Sequence, residues 1–459
     1  MNLLHPRARL LDATSGEELT GPALRAEVDR VAADVRALPT GVVFARMDVD
    51  AASVLRYLGA WHAGRAVALL DPALDADLLA RLIERFRPAA VLNPAGEAPA
   101  GYDANWVRTS DDDAVEPHPD LAVLLPTSGS TGNPKLVRLS RAAVLANAEA
   151  IAEVLGIDAD EVAPTSLPQH YSYGLSVLNS HLVRGATVVV EPTGVMGRPF
   201  WTAVEQFGIT SLAGVPYHYD MLRRLRFDPA KYPSLRTLTQ AGGRLRPELV
   251  TEFNDTMRAV GGRMFVMYGQ TEAAPRMSTV PAERLADKLG SAGPALPGGA
   301  FSIRRDDGVE TTEPGVTGEV LYRGPNVMMG YAETAAELAD GEVTGGLLAT
   351  GDLGHLDADG YLFITGRLKR IGKVFGNRVN LDDLERILGG SAGTVAAVPA
   401  GDKVVVFVEG ADRLATKAAA KALSERLHLH VTGFDVRSAE SLPLLTNGKI
   451  DYRSLEAGL

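Results

Sequence analysis

Thr127-Ser128-Gly129-Ser130-Thr131-Gly132-Asn133-Pro134-Lys135 follows the apolar run 121–125. A strand-forming run that opens into hydroxyls and glycines and closes on a lysine has the composition of a backbone cradle for phosphate oxygens. Glycine lets several N–H groups converge, and the hydroxyls add donors. The kinase-type phosphate loop needs Gly directly before its Lys and Ser or Thr after it. Here Pro134 precedes Lys135 and Leu136 follows, so that loop is excluded. A plain surface turn rich in Gly, Ser and Thr is the competing reading of this segment taken by itself.

Upstream of the loop, apolar runs of strand length (42–44, 66–70 and 89–92) alternate with helical patterns (51–61 and 78–86). Downstream, 185–190 reads as a buried strand and 201–207 as a short helix. That alternation predicts an α/β fold with largely parallel sheets covered by helices. At 459 residues the chain exceeds what one hydrophobic core supports, so two or more domains are expected. The stretch 366–376 is rich in glycine and cations, and the residues after it carry their own small α/β pattern, with a strand at 403–409 and a helix at 414–427. A boundary after Arg367 follows: a large domain of α/β layers with mixed sheets over 1–367 and a small mobile α+β lid over 368–459.

The formal charge of -11 argues against nucleic acid or an anionic membrane as the main partner, since both attract basic surfaces. With no cysteine there is no disulfide, thiolate nucleophile or Cys-ligated zinc. No 18-residue apolar run occurs and the N-terminus lacks the apolar core of a signal peptide, so a cytoplasmic protein without membrane partners is expected. The acidic stretch 111–120, interrupted by Pro117 and Pro119, reads as a solvated connector rather than a metal site. His170 with His181, and His428 with His430, lack the helical spacing of a zinc site and read as packing or surface histidines.

Further motifs follow in order: Gln240-Ala241-Gly242-Gly243, Tyr268-Gly269-Gln270-Thr271-Glu272, Gly318-Glu319 with Gly324 and Gly330-Tyr331, and Thr350-Gly351-Asp352. Gly360-Tyr361 with Gly366-Arg367, Gly376-Asn377-Arg378-Val379, and Leu442-Pro443 with Gly448-Lys449 complete the series. Together with the 127–135 loop, and with Ala63-Gly64 through Leu70-Asp71-Pro72, these resemble the adenylate-forming superfamily of acyl-CoA synthetases, luciferases and nonribosomal peptide synthetase adenylation domains. The resemblance covers nearly the whole chain. It implies a ligase that joins a carboxylic acid to the α-phosphate of ATP, with Mg²⁺, expels pyrophosphate, and passes the acyl group to an acceptor. It also implies a lid that pivots about Lys369 between an adenylating and a transferring pose.

Within that resemblance each residue has a chemical reason. Both reactants are anions, so charge neutralisation is the central problem. Lys449, in a turn at the far end of the lid, is expected to bridge the carboxylate and the α-phosphate. Glu272 is expected to hold Mg²⁺, because a carboxylate beside triphosphate is repulsive without a cation, while the Thr271 hydroxyl donates to the α-phosphate. Asp352 is suited to both ribose hydroxyls, with Arg367 on the ribose or phosphate. Gly242 and Gly243 would let backbone lie against adenine beside the Tyr268 ring, with neighbouring Gly269 also in the nucleotide site. Thr127, Ser128, Gly129, Ser130, Thr131 and Gly132 would cradle the phosphates, and Lys135 would act on the leaving pyrophosphate. Leu136 stands where the family usually has glycine.

Leu167 to Leu175 resembles the segment bearing the family's gating aromatic or histidine, which places Tyr171 and His170 in the acyl pocket; Val215, His218 and Gly269 line it too. No Asp or Glu occurs between Ser166 and Leu182, where amino-acid-activating relatives place a carboxylate for the substrate ammonium. Burying an unpaired ammonium is costly, so an acid without an α-amine is expected. The acceptor would arrive in trans as coenzyme A, a carrier protein or an amine, through a tunnel bordered by Gly376. The sequence Gly389-Gly390-Ser391-Ala392-Gly393 replaces a longer passage of typical acyl-CoA synthetases. Thioester formation ranks first and amide formation second. A catalytically inactive nucleotide-binding protein would lack Lys449, Glu272 or Asp352, and all three are present.

Overall fold

The computed structural model describes residues 3–112, 114–127, 135–368, 370–375, 377–389, 394–445 and 448–459. The alternation upstream of the loop forms as expected. Strands Val43–Arg46, Val67–Leu70 and Ala90–Leu92 are parallel and are separated by helices Ala51–His62 and Ala76–Phe86. Both helices start on an aspartate whose carboxylate accepts otherwise unpaired N–H groups: Asp50 from Ser53, and Asp75 from Asp77 and Leu78. Leu121–Thr127 joins this sheet in parallel beside Val67–Leu70, then folds back antiparallel onto Lys135–Ser140, which pairs with Gly330–Ala332 at the sheet edge. Thr127 faces Lys135 across the hairpin. Ser128, Gly129, Ser130, Thr131 and Gly132, with Asn133 and Pro134, lie outside the described residues.

A second sheet sets Ser211–Gly214, Thr237–Gln240 and Arg263–Gly269 parallel, with Arg276–Val280 antiparallel at its edge. A third orders Glu18–Thr20, Arg9–Asp12, Thr187–Val190 and Val162–Pro164. Helix Ser172–Leu182 is buried along most of its length, its Leu175, Leu178 and Leu182 in the core shared with the first sheet and its Tyr173 against the second.

The expectation of largely parallel sheets fails over residues 300–367. Glu310–Thr311, Ala300–Arg304, Gly318–Arg323, Leu347–Leu356 and Leu362–Arg367 form a wholly antiparallel sheet. Its strands are joined by connections such as 357–361, too short for the crossover that a parallel pair requires. The acidic stretch 111–120 carries neither helix nor strand among its described residues.

Beyond Arg367 the chain builds a separate core. Strands Val395–Ala400, Lys403–Glu409 and Phe434–Ala439 form a sheet against helices Leu381–Gly389 and Arg413–Leu427, with Leu384, Leu388, Val404, Val406 and Leu423 buried between them. Arg370 is held inside this unit. It pairs with Asp382 and, at 2.8 Å, with Glu385, and lies 3.9 Å over the Tyr452 ring, whose hydroxyl donates to Glu385 at 3.1 Å. Lys369 and Gly376 lie outside the described residues. Among the described residues no helix is long and apolar enough to cross a membrane.

Leu136 and Arg138 account for the unusual strand after the loop. Leu136 is fully buried opposite Ala332 and packs in the core with Met329 and Leu338, so it fills the sheet rather than stiffening the loop. Arg138, 1% exposed, donates to the carbonyls of Tyr331 at 3.2 Å, Gly341 at 3.3 Å and Asp340 at 2.5 Å. Its guanidinium thereby satisfies carbonyls of the edge strand Gly330–Ala332 and of the irregular segment around Asp340. Replacing it with Met should cost about 3 kcal/mol, because several buried carbonyls lose charge-assisted donors. Urea unfolding measures that loss, and an unchanged midpoint would show that water replaces the guanidinium.

Candidate active site

The three parallel strands of the second sheet end side by side, and the candidate residues emerge from their carboxyl ends, where ligands of open α/β sheets gather. Val215 follows Ser211–Gly214, Gly242 and Gly243 follow Thr237–Gln240, and Tyr268 and Gly269 close Arg263–Gly269, ahead of Gln270, Thr271 and Glu272. Gly242 has φ +82, and a Cβ there would stand 2.4 Å from the Tyr171 hydroxyl and 3.0 Å from Val215. The glycine therefore makes room for Tyr171, a role distinct from the flat adenine support expected of it. Gly243 abuts Pro216, and its carbonyl accepts from Gln240 Nε2 at 2.7 Å.

Asp352 lies on the long strand Leu347–Leu356 and is 3% exposed. Its Oδ2 accepts from the Tyr268 hydroxyl at 2.5 Å and Gln270 Nε2 at 2.8 Å, and its Oδ1 from Arg367 Nε at 3.0 Å. Burial, and then the carboxylate alongside, push the Tyr268 phenol well above its ordinary pKa, so it stays a donor. Gln270 also donates to the Thr350 carbonyl at 2.9 Å.

Glu272 Oε1 accepts from Tyr331 at 2.8 Å, and Tyr331 in turn lies under Lys135, whose Nζ is 5.6 Å from the ring centroid and pairs with Glu333. Burial and Glu272 raise the Tyr331 pKa. The Thr271 hydroxyl lies 3.1 Å from that of Ser172 at the start of the helix bearing Tyr173.

Lys449 arrives from the lid. Gly448 has φ +76, and a Cβ there would stand 3.0 Å from Val215, so the turn docks directly on the large domain. Lys449 Nζ lies 5.8 Å over the Tyr171 ring. The side chain keeps solvent access, yet crowding and then Arg367 push its ammonium below the ordinary lysine range, while Glu272 and Asp352 pull it back up. Tyr171 is pushed up to about 12 by burial and meets Tyr173 edge to face at 6.3 Å.

Lys449, Tyr171, Val215, Gly242, Thr271, Glu272, Asp352 and Arg367 are thus gathered at one mouth. His170 is not: Nδ1 lies 3.4 Å from the Met47 carbonyl and Nε2 3.5 Å from Asp71, at the ends of two strands of the first sheet. His218 sits beneath Val215, accepting its N–H at 3.4 Å. Gln270, Tyr331 and Ser172 join the site without having been assigned roles from sequence; the first two stand inside quoted motifs, and Ser172 gave no signal of its own.

Residues 4–332 match the AMP-binding enzyme family. The chain belongs to that family. Among AMP-binding relatives, an indoleacetate–CoA ligase of Aromatoleum aromaticum is 36% identical over 301 residues, 63% of this chain and 56% of that enzyme, so this chain spans little more than half of that relative's length. A D-alanine–D-alanyl carrier protein ligase of Bacillus cereus is 26% identical over 449 residues, 88% of this chain and 86% of the relative. The structure of O-succinylbenzoate coenzyme A synthetase from Bacillus subtilis in complex with AMP superposes with a TM-score of 0.80, covering 99% of this chain and 96% of that one at 23% identity. The two-domain α/β architecture of AMP-binding enzymes is therefore the fold of this chain.

Burial lowers the His218 pKa from 6.5 to about 4. A depressed folded-state value means that the unfolded chain binds the extra proton first. The associated stability is complete above about pH 6.5 and is lost as pH falls toward about pH 4. His218→Gln should remove about one proton from the uptake on unfolding near pH 5. The pH dependence of the unfolding free energy reads this directly, and an unchanged slope would place the His218 ring in solvent.

Proposed function

We propose that this chain is an ATP-dependent carboxylic acid ligase that forms an acyl-adenylate and pyrophosphate and then transfers the acyl group to a thiol acceptor. The observation that carries the reading is Lys449, brought by the lid to within reach of Tyr171, Glu272, Arg367 and Asp352. A carboxylate oxygen attacks the α-phosphorus of ATP, and the bond to the β-phosphate oxygen breaks. Lys449 neutralises the two anions as they meet, and Thr271 donates to the same phosphate. Such preorganised charge is worth orders of magnitude in rate in a site closed to water. In the second step the thiol sulfur attacks the acyl carbon, AMP leaves with the former carboxylate oxygen, and the thiol proton passes to solvent.

Asp352 presents a carboxylate to the ribose, oriented by Tyr268, Gln270 and Arg367. Magnesium is held in many nucleotide sites by one or two carboxylates, with phosphates and water completing the shell. Among the described residues no three His, Cys, Asp or Glu side chains gather, and Glu272 commits Oε1 to Tyr331 while keeping its second oxygen. That donor set fits an ion shared with phosphate, which would supply charge neutralisation of the leaving pyrophosphate. Residues 1–367 form the adenylating domain and 368–459 the lid. The Arg370 cluster, wholly within the lid, supports Lys369 as the pivot. The named relatives include both a coenzyme A ligase and a carrier protein ligase, which supports a pantetheine-type thiol ahead of an amine.

Given ATP and a panel of carboxylic acids, the enzyme should yield hydroxamates when hydroxylamine traps the adenylate. Lys449→Ala should lower pyrophosphate exchange by about 10³-fold while sparing transfer from supplied acyl-adenylate, because the cation acts only in the first step. Equal loss in both half-reactions would remove that role. Coenzyme A or a holo carrier protein should consume the adenylate far faster than a simple amine at equal concentration. Saturable amide formation, with no thioester from any thiol, would replace the thiol acceptor by an amine.

A further inference from the structure

Behind Tyr171 the structure holds a buried cation without a counterion. Arg276 opens the edge strand of the second sheet and is 2% exposed. Its backbone is pinned from both sides: the N–H donates to Asn147 Oδ1 at 3.1 Å, and the carbonyl accepts from Asn147 Nδ2 at 2.7 Å and Asn326 Nδ2 at 2.8 Å. The guanidinium lies 4.6 Å over the Tyr173 ring, and its Nε has no hydrogen-bond partner. Among the described residues no carboxylate pairs with it, and the ionisable neighbours acting on it are Tyr173 and Tyr171. Arg138, equally buried, shows the usual arrangement, with carbonyls satisfying its donors.

Arg276 lines a partly open cavity of about 30 Å³, room for one or two waters or one carboxylate. Thr239, Ala213, Met267, Ser176 and the buried Glu161, whose carboxylate accepts from the Thr210 hydroxyl and pairs with Arg236 at 3.5 Å, form other parts of the wall. So does His181, whose Nδ1 is committed to the Val177 carbonyl at 2.8 Å and whose buried Nε2 is a second polar atom without a partner. Packed rings stand between the mouth and this cavity: Lys449 over Tyr171, Tyr171 against Tyr173, Tyr173 under Arg276.

A buried unpaired charge is strongly unfavourable unless an opposite charge meets it. We infer that Arg276 is the specificity residue for a carboxylic acid bearing a second carboxylate at its far end, the first carboxylate meeting Lys449 and the second meeting Arg276 in this cavity. The inference rests on the acid-ligase reading above.

Pyrophosphate exchange with two matched series, monocarboxylic acids and dicarboxylic acids of equal length, including aryl spacers, decides it. The wild type should favour the diacid of best length by about tenfold or more in kcat/KM. Arg276→Met should abolish that preference through KM, with monoacids unaffected or improved, and Arg276→Lys should keep part of it. A purely structural arginine would change kcat for all acids alike. Thermal melting confirms that each variant is folded; should the methionine variant fail, the wild-type preference and the lysine variant decide. Exchange with monoacids as good as with diacids, unchanged by either variant, overturns the inference, leaves the adenylation reading standing and marks the cavity as a water site. No exchange with any acid, and no transfer from supplied acyl-adenylates, sinks the ligase reading and the inference with it.

Discussion

The Asp352 carboxylate is nearly buried and is satisfied by three donors from two places in the chain: Tyr268 and Gln270 at the end of one sheet, and Arg367 at the end of another. A buried carboxylate is tolerable only when its oxygens are met by donors held in position. Meeting that condition ties the second sheet to the antiparallel sheet and fixes the last residue before the lid. The floor of the mouth, the strand ends and the root of the pivot are thus set by one group. Gln270 adds a second tie by donating to the Thr350 carbonyl, so loosening any one member shifts the others.

Charge balance governs how the lid meets this floor. Lys449 enters a mouth that already holds Arg367, and the two cations repel, while Glu272 and Asp352 attract it. The two carboxylates thus offset part of the cost that burial and Arg367 impose on the ammonium. Contact rather than charge guides the docking, with Gly448 laid on Val215. The same valine would meet a side chain added at Gly242, so both glycines leave room for Val215. Arg370, held by Asp382, Glu385 and Tyr452, braces the C-terminal unit from within.

Several residues changed meaning between sequence and structure. Gly242 was legible as a position needing glycine, but its reason is the Tyr171 hydroxyl, which comes from a loop 71 residues earlier in the chain. Leu136 looked like a loop substitution and is a core residue of a strand. His170 and Tyr171 are adjacent in sequence, yet the backbone turn before helix Ser172–Leu182 sends them to opposite sides, one to the first sheet and one to the mouth. Arg276 gave no signal at all: an arginine between Pro275 and Met277 reads as a strand edge facing water. Its burial follows from the way that edge is covered by helices 141–155 and 172–182.

The sequence by itself determined the α/β class, the alternation over 42–92, the small separate core after Arg367 and the motifs of the AMP-binding family. These depend on local periodicity, on turn chemistry and on short motifs, all of which act within a few residues. Tertiary structure alone decided the antiparallel sheet of 300–367, the side to which each histidine turned, the enclosure of Arg276 and the arrival of Lys449 over Tyr171. Each of those depends on which distant surface covers a side chain, and desolvation and pairing are properties of that covering surface rather than of the residue's own neighbours.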